Sequence, residues 1–180
     1  MNCVSLEELE KQIPTCTSCP LHETATQKVI RKGSENPKIL FIGEAPGKNE
    51  DETGVPFCGR AGKVLDQIID YMRLDEQEWA VINTIKCRPP NNRNPNKKEL
   101  QACRSFLENQ IELLDPKVII LLGNTAETAF VGKGTLGWGE CREIDGSKVL
   151  KLYHPAALIY TRSRIPEQHQ FIDANRKLWE

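Results

Sequence analysis

Four cysteines in the sequence have a spacing that is suited to holding a metal. Cys16 and Cys19 form a CxxC pair, and Cys87 and Cys103 form a wider pair with 15 residues between them. Four thiolates can hold zinc or an iron–sulfur cluster. A zinc ribbon usually has two tight CxxC knuckles, so the single knuckle favours a cluster and leaves zinc, or no metal, as alternatives. The other three of the seven cysteines are expected to be ordinary small residues: Cys3, Cys58 and Cys141.

Two glycine-rich loops could hold an anion or a planar ligand. The first is Gly43-Glu44-Ala45-Pro46-Gly47, and the second spans 54–62 and opens a helical pattern. Glycines let the backbone come close to a ligand, and a helix N-terminus favours an anion. Arg60 follows Gly59 where a P-loop would have Lys and then Ser or Thr, so this is not a P-loop. Phe57 in the second loop is either a core residue or a platform on which a base stacks.

Two polar residues come directly after apolar runs. Asn83 offers a donor and an acceptor side by side, the pattern that reads the edge of a base, although it could instead cap a turn. His154, followed by Pro155, is either a structural residue or a chemical one. A run of basic residues with no acidic residue extends over 86–98, and it predicts either phosphate contacts or a solvated face. Its members are Lys86, Arg88, Arg93, Lys97 and Lys98.

The elements that must position these residues alternate between strands and helices. Short apolar runs at 38–42, 80–82, 118–122 and 149–153 predict buried strands. Helical patterns are predicted at 5–13, 61–73, 97–114, 125–130 and 166–179, and residues 15–37 are predicted to be irregular. This alternation predicts a mainly parallel sheet with helices on both faces. Ligands bind at the carboxyl ends of such strands, so 43–47, Asn83, Gly123 and His154 should converge on one site.

The overall composition indicates one soluble domain over residues 1–180. The chain has 39% hydrophobic and 27% charged residues and a net charge of −1, which is typical of a globular protein. No apolar run approaches the roughly 18 residues that would span a membrane, and the N-terminus lacks a signal-peptide pattern. We therefore expect a cytoplasmic protein. An odd number of cysteines in a reducing compartment also favours metal binding over disulfides.

Taken together, these residues resemble the family 4 uracil-DNA glycosylases of thermophilic bacteria and archaea. The similarity extends from Cys16 to about Tyr160. It is carried by GEAPG at 43–47, Glu50-Asp51, GVPFCGRAG at 54–62, NTIKCRPPNNRNP at 83–95, Cys103, Leu122-Gly123 and HPAAL at 154–158.

The resemblance implies a fold, a cofactor and an activity. The fold would be a three-layer α/β/α sandwich around a four-stranded, mainly parallel sheet. A structural [4Fe–4S] cluster would be held by Cys16, Cys19, Cys87 and Cys103. The protein would be a monofunctional glycosylase that acts on uracil-containing DNA, and we expect it to be a monomer. It would hydrolyse the N-glycosidic bond of a flipped-out deoxyuridine and leave an abasic site.

The resemblance also implies roles for single residues. His154 would donate to uracil O2, Asn83 would pair with the base, and Phe57 would stack on it. Glu44 would orient the attacking water, with Glu50 and Asp51 as alternatives, and Leu158 would fill the gap that the flipped base leaves. The rest of the uracil pocket would be Gly43, Ala45 and Gly47, and the phosphate contacts would be Arg60, Arg88 and Arg93.

This chain departs from related sequences at some positions. Ala45 stands where family 1 enzymes have an aspartate, and Tyr160 stands where many relatives have an arginine. Residues 86–91 contain no histidine, unlike an adduct-forming relative, which favours ordinary hydrolysis. Three other functions stay open: a zinc-containing nucleic-acid-binding module, a nucleotide-binding α/β protein, and a glycosylase for another lesion such as thymine or hypoxanthine.

Overall fold

A six-stranded sheet forms the centre of the protein, for which a computed structural model describes residues 4–180. The strand order is β1-β3-β2-β4-β6-β5. The four central strands are parallel, and β1 and β5 pair antiparallel at the two edges. The strands are β1 (Lys32–Gly33), β2 (Ile39–Gly43), β3 (Trp79–Asn83), β4 (Val118–Leu122), β5 (Cys141–Ile144) and β6 (Ser147–Leu152).

Helices cover both faces of this sheet, because alternate residues of its buried strands point to opposite sides. Phe41 and Ile120 pack with α4, α7 and α8 in one core cluster. Leu40 and Ile119 pack with α5 and α6 in the other. The helices are α1 (Leu6–Gln12), α2 (Leu21–Thr24), α3 (Lys48–Thr53), α4 (Arg60–Met72), α5 (Lys97–Leu114), α6 (Asn124–Phe130), α7 (Pro155–Tyr160) and α8 (Ile165–Asn175).

The expected α/β class and three-layer arrangement are confirmed, and the four apolar runs are the four central strands. The expected strand count was wrong, because the sheet has six strands. The first edge strand has two residues, and the second, Cys141–Ile144, is only half-buried, so neither has the apolar pattern of a buried strand. Helix α2 and strand β1 lie within the segment predicted to be irregular.

Helices α1 and α5 begin where capping residues lie in the sequence. The side chain of Ser5 accepts a hydrogen bond from the Glu8 amide, and Asn96 does the same for Glu99. In each case the glutamate reaches back to the amide of the capping residue, which completes a capping box. Helix α5 therefore begins at a fixed residue, which fixes the position of Cys103 six residues further on. Among residues 4–180, no helix is long and apolar enough to cross a membrane.

Candidate active site

A pocket of about 320 Å³ opens at the carboxyl ends of β2, β3 and β6. The sequence predicted that polar side chains would converge at this edge, and seven of the expected site residues do line the pocket. They are Glu44, Ala45, Gly47, Phe57, Asn83, Arg93 and His154. Gly43 lies beneath, at the end of β2, where it is paired in register with Asn83. The pocket is large enough for a single flipped base.

Glycine is required at the base of this pocket. A Cβ atom at Gly43 would lie 2.5 Å from Cζ of Phe57 and 2.6 Å from Oδ1 of Asn83. Gly62 in α4 allows an even closer approach, because its Cβ would lie 1.7 Å from the main-chain oxygen of Phe57. Phe57 itself has a φ of 53°, which an L-residue adopts only at a cost. The two glycines and this strained backbone hold the phenyl ring against the asparagine.

Glu50 fastens the two glycine-rich loops together. Its Oε1 atom accepts a hydrogen bond from the amide of Gly47 at 3.1 Å. Its Oε2 atom accepts from the amides of Cys58 and Gly59 at 3.0 and 2.9 Å. Both carboxylate oxygens are therefore engaged by the backbone. Oδ1 of Asp51 accepts from the amide of Thr26, so both of these carboxylates have a visible structural role.

Asn83 has a buried acceptor without a partner. Its side chain is 2% exposed, and Oδ1 receives no hydrogen bond from residues 4–180. An unsatisfied buried acceptor costs about 1–3 kcal/mol. The backbone around it is fixed, because the main-chain oxygen accepts from Nζ of Lys86 at 2.6 Å and the Thr84 amide donates to Gly43. The main chain of Asn83 is thus held in place, and the Oδ1 atom of its side chain is free for a ligand.

His154 presents its Nε2–H group as a donor. Its Nδ1 atom accepts a hydrogen bond from the amide of Ala156 at 3.0 Å, at the N-terminus of α7. A ring that accepts at Nδ1 carries its proton on Nε2. Burial lowers the pKa of His154 from 6.5 to about 4, so the ring is neutral at pH 7. The ring centroid lies 5.7 Å from that of Phe57, on the same pocket wall.

The Glu44 carboxylate lies at the junction of two pockets. Its Oε2 atom accepts a hydrogen bond from Oγ1 of Thr125 at 2.6 Å, and its main-chain oxygen accepts from Thr84. A second pocket of about 370 Å³ shares Glu44 and His154 with the first. Trp138, Tyr153 and Arg164 line this second pocket. The centroids of the Trp138 and Tyr153 rings are 4.4 Å apart, and the guanidinium carbon of Arg164 lies 4.8 Å from the centroid of the Tyr153 ring.

Two of these three residues were not found from the sequence. Arg164 belongs to a second small group of basic residues in the sequence, Arg162 and Arg164. Trp138 and Tyr153 belong to no sequence motif that indicates a function. Only the fold brings them to the pocket.

Leu158, the expected wedge residue, is buried in this structure. Its side chain is 3% exposed and packs in the core cluster between α4 and the sheet. Pro155 and Leu158 are three residues apart in α7, so both face inward. The exposed side chain on this helix is Tyr160, which is 85% exposed and lines the rim of the first pocket.

The basic run divides into three kinds of residue. Lys86 is 1% exposed, which excludes it from a phosphate-binding surface. Arg93 forms a two-pronged ion pair with Glu99, at 2.7 and 2.8 Å, so its charge is already matched. Nε of Arg88 donates to Asn92.

Lys97 and Lys98 are exposed at the start of α5, where the helix dipole disfavours cations. Arg60 is exposed at the start of α4.

All four cysteines expected to bind a cluster line one small cavity between α2, the Lys86–Cys87 segment and α5. No carboxylate lines this cavity, and the one imidazole that does, His22, has its Nδ1 atom 2.6 Å from the main-chain oxygen of Cys19. Among residues 4–180, no three Cys, His, Asp or Glu side chains are close enough together to hold a single metal ion. Thiols spread around a cavity fit an iron–sulfur cluster better than one zinc ion. Cys58 and Cys141 lie elsewhere, and Cys3 is outside the described residues.

Burial makes two of these thiols, Cys87 and Cys103, weak acids. It raises the pKa of Cys87 to about 12 and raises that of Cys103 as well. Metal binding requires thiolates, so loading of the cavity would release protons.

Comparison with known proteins agrees with this geometry. A model of the Uracil DNA glycosylase superfamily matches residues 30–179. The type-4 uracil-DNA glycosylase of Thermotoga maritima is 39% identical over 163 residues, covering 88% of this chain and 85% of that protein. That of Archaeoglobus fulgidus is 36% identical over 177 residues, covering 92% and 88%. A type-5 uracil-DNA glycosylase of Pyrobaculum aerophilum is 24% identical over 195 residues, covering 88% and 86%. The chain therefore belongs to the uracil DNA glycosylase superfamily and, within it, to the type-4 uracil-DNA glycosylases.

Proposed function

We propose that the protein removes uracil from DNA by hydrolysing the N-glycosidic bond, which leaves an abasic site. One observation carries this proposal: a buried, unpartnered acceptor on Asn83 and a neutral donor on His154 share a base-sized pocket with Phe57. A base inside a duplex cannot reach such a pocket, so the nucleotide must flip out of the stack. A direct test is to incubate the purified protein with DNA that contains uracil and to look for alkali-labile abasic sites.

Asn83 reads the base in this proposal. Uracil offers a donor at N3 and an acceptor at O4, and a side-chain amide offers the complementary pair. The N3–H group would satisfy Oδ1, the atom that has no partner in the residues described. The phenyl ring of Phe57 would stack on the face of the uracil, since it lies against the same asparagine across Gly43.

His154 stabilises the leaving group. Cleavage of the glycosidic bond leaves positive charge on the sugar and negative charge on uracil O2. A donor aimed at this oxygen stabilises the charge as it develops, and the Nε2–H group of His154 is that donor. Because the ring is already neutral, it stabilises the charge as a hydrogen-bond donor and not as a cation.

We assign to Glu44 the role of orienting the attacking water molecule. Its Oε2 atom is held by Thr125, and no hydrogen bond from residues 4–180 reaches Oε1. Oε1 therefore remains available to hold a water molecule on the face of the sugar opposite the departing base. Glu50 does not fit this role, because both of its oxygens accept backbone hydrogen bonds. Ala45 offers no carboxylate at the position where family 1 has one.

The second pocket provides a path for the DNA strand next to the flipped nucleotide. It adjoins the first pocket at His154 and carries an aromatic wall, Trp138 and Tyr153, with Arg164 beside it. Aromatic side chains with a nearby guanidinium are typical of sites that bind single-stranded nucleic acid.

Tyr160 replaces Leu158 as the residue that fills the gap in the duplex. We expect Tyr160→Ala to lower excision from double-stranded DNA by about tenfold or more, since stacking on an aromatic ring is worth about 1–3 kcal/mol per base. Single-stranded DNA has no stack to fill, so its excision should change little. The measurement is single-turnover excision on both substrates. Tyr160→Phe is the control and should keep the wild-type ratio, and an equal loss on both substrates would argue against the wedge.

Lys97 and Lys98 are the strongest candidates for phosphate contacts, since both are exposed and lie in the basic run. We expect the double change Lys97→Gln and Lys98→Gln to reduce the slope of log affinity against log salt by about two units. The matched control is Lys117→Gln with Lys177→Gln, two exposed lysines away from the pocket edge. If both double variants have the wild-type slope, the N-terminus of α5 does not contact the DNA backbone.

We also propose that Cys16, Cys19, Cys87 and Cys103 hold a [4Fe–4S] cluster with a structural role. The four thiols come from three separate segments, so a bound cluster would cross-link the N-terminal region to the segment that follows Asn83 and to α5. It would supply stability and not electron transfer to the substrate.

Anaerobically purified protein should therefore contain about four irons and four sulfides per chain. Cys87→Ala should lower both the iron content and the melting temperature, because the metal-bound state is stabilised by ligands from distant segments. Cys58→Ser and Cys141→Ser are controls, since neither residue lines the cavity, and both should retain iron. One zinc per chain without sulfide would contradict the assignment.

A further inference from the structure

Lys86 is a buried ammonium group with no carboxylate partner among residues 4–180. It is 1% exposed, and its Nζ atom donates to a main-chain oxygen and not to a carboxylate. The acidic residue whose charge acts on it is Glu10. That carboxylate is already paired with Arg31, whose Nε atom lies 2.5 Å from Oε1. A buried charge without a partner is costly, so such residues usually face an opposite charge.

The group that Lys86 faces is the cysteine cavity. Lys86 lines this cavity together with all four cysteines, and its positive charge opposes the rise in the pKa of Cys103 that burial causes. Thiols that bind a metal are deprotonated, and four thiolates around a [4Fe–4S] core give a net negative charge. The negative charge of the loaded cavity would therefore supply the counter-charge that Lys86 otherwise lacks.

The other contact of the lysine leads to the base-reading residue. Nζ of Lys86 donates to the main-chain oxygen of Asn83 at 2.6 Å, across one tight turn. The two residues are also connected through a buried stretch, Asn83–Cys87, in which every residue is at most 6% exposed. Lys86 therefore contacts both the cavity that the four cysteines line and the backbone that carries the pocket amide.

We infer that Lys86 is the counter-charge of the four-cysteine site and a positioning residue that holds Asn83 in its base-reading orientation. The inference rests on the proposed function, because it assigns Asn83 to the base. It links the two sites of the molecule: the charge in the cavity holds the ammonium, and the ammonium holds the Asn83 carbonyl. The alternative is that Lys86 only stabilises the local turn between Asn83 and Lys86.

The test uses three variants of the anaerobic, iron-loaded protein. Lys86→Met removes the charge and the donor but keeps the length of the side chain. Lys86→Arg keeps the charge and the donor. Lys28→Met is the matched control, because Lys28 also lines the cavity and its charge acts on Cys87, but it has no hydrogen bond to Asn83. Three quantities are measured: the reduction potential of the cluster, the rate of iron loss to a chelator, and single-turnover uracil excision corrected for iron content.

Lys86→Met should make the reduction potential more negative, because a nearby positive charge favours the reduced cluster. It should lose iron faster, and its loaded fraction should excise uracil about tenfold or more slowly, since a hydrogen bond to a charged group is worth about 1.5–3 kcal/mol. Lys86→Arg should restore all three quantities toward the wild type. Lys28→Met should shift the potential less and leave excision unchanged.

Each departure overturns a stated part of the inference. A wild-type potential and rate of iron loss in Lys86→Met would remove the counter-charge role. A wild-type excision rate in its loaded fraction would remove the positioning role. If Lys86→Met does not fold, Lys86→Arg decides: values unlike the wild type overturn the inference, and wild-type values support it. Wild-type protein that releases no uracil would refute the proposed function instead, while the potential and iron-loss measurements would still test the counter-charge.

Discussion

His154→Ala should lower single-turnover uracil excision by about 100- to 1,000-fold, the usual effect of removing one donor to a developing negative charge. DNA affinity should change little, because the Nε2–H group acts on the transition state and not on the duplex. The variant also loses the Nδ1 cap of α7, which holds Ala156 at the pocket. His154→Gln, which keeps a donor, should therefore recover part of the rate.

The control is His169→Ala, which removes a histidine stacked on Tyr71 away from the pocket and should leave excision unchanged. The pH profile gives a second check. The pKa of His154 is lowered to about 4, so the ring stays neutral as the pH falls from about 8 to about 5, and its protonation should produce no inflection near 6.5. A wild-type rate in His154→Ala would make the residue structural. An inflection near 6.5 that disappears in His154→Gln would show that the cationic form takes part.

Asn83→Asp should abolish most uracil excision and add a trace of cytosine excision. The carboxylate would repel uracil O4 yet accept a hydrogen bond from cytosine N4. A two-pronged contact to a base is worth about 1–3 kcal/mol of discrimination. Cytosine is a poorer leaving group, so its excision should stay slow. The measurement is the release of each base from otherwise identical DNA.

Asn36→Asp is the matched control for this change, because it adds the same charge at an exposed position. It should leave excision of uracil unchanged and should release no cytosine. If Asn83→Asp excises uracil at the wild-type rate, then the unpartnered Oδ1 does not read the base and the pocket must be sought elsewhere. Circular dichroism of both variants separates loss of folding from loss of recognition.

The positions of the site residues could be predicted because parallel strands align their carboxyl ends. Asn83 and His154 each follow a continuous apolar run, and Gly43 ends another. Once the runs are read as neighbouring strands, these residues must lie at one edge. The four cysteines were likewise found from their type and spacing, and they line one cavity.

Leu158 shows why orientation was harder to predict than position. The short segment after His154 was not recognised as a helix, so the inward direction of Leu158 was not apparent. Helix α7 buries Pro155 and Leu158 on one face and leaves Tyr160 exposed at its end. Recognising Pro155 as the first residue of a helix would have given this orientation from the sequence alone.

The partners of the basic residues could also not be predicted from the sequence. Lys86 and Arg93 look alike in a run of basic residues, but one is buried beside the cysteines and the other is paired with Glu99. The ion pair depends on the capping box at Asn96, which turns Glu99 back toward the preceding loop. The edge strands were missed because they are short or half-exposed and follow no apolar period.

The most direct measurement of the central claim is the identity of the base that the protein releases. Four duplexes that differ at one position, carrying uracil, thymine, hypoxanthine or cytosine, would be incubated with iron-loaded protein, and the free bases would be identified by mass spectrometry. The account predicts release of uracil with one abasic site per uracil, and far slower release of the other bases. Intact uracil-containing DNA, or faster release of hypoxanthine or thymine than of uracil, would contradict it.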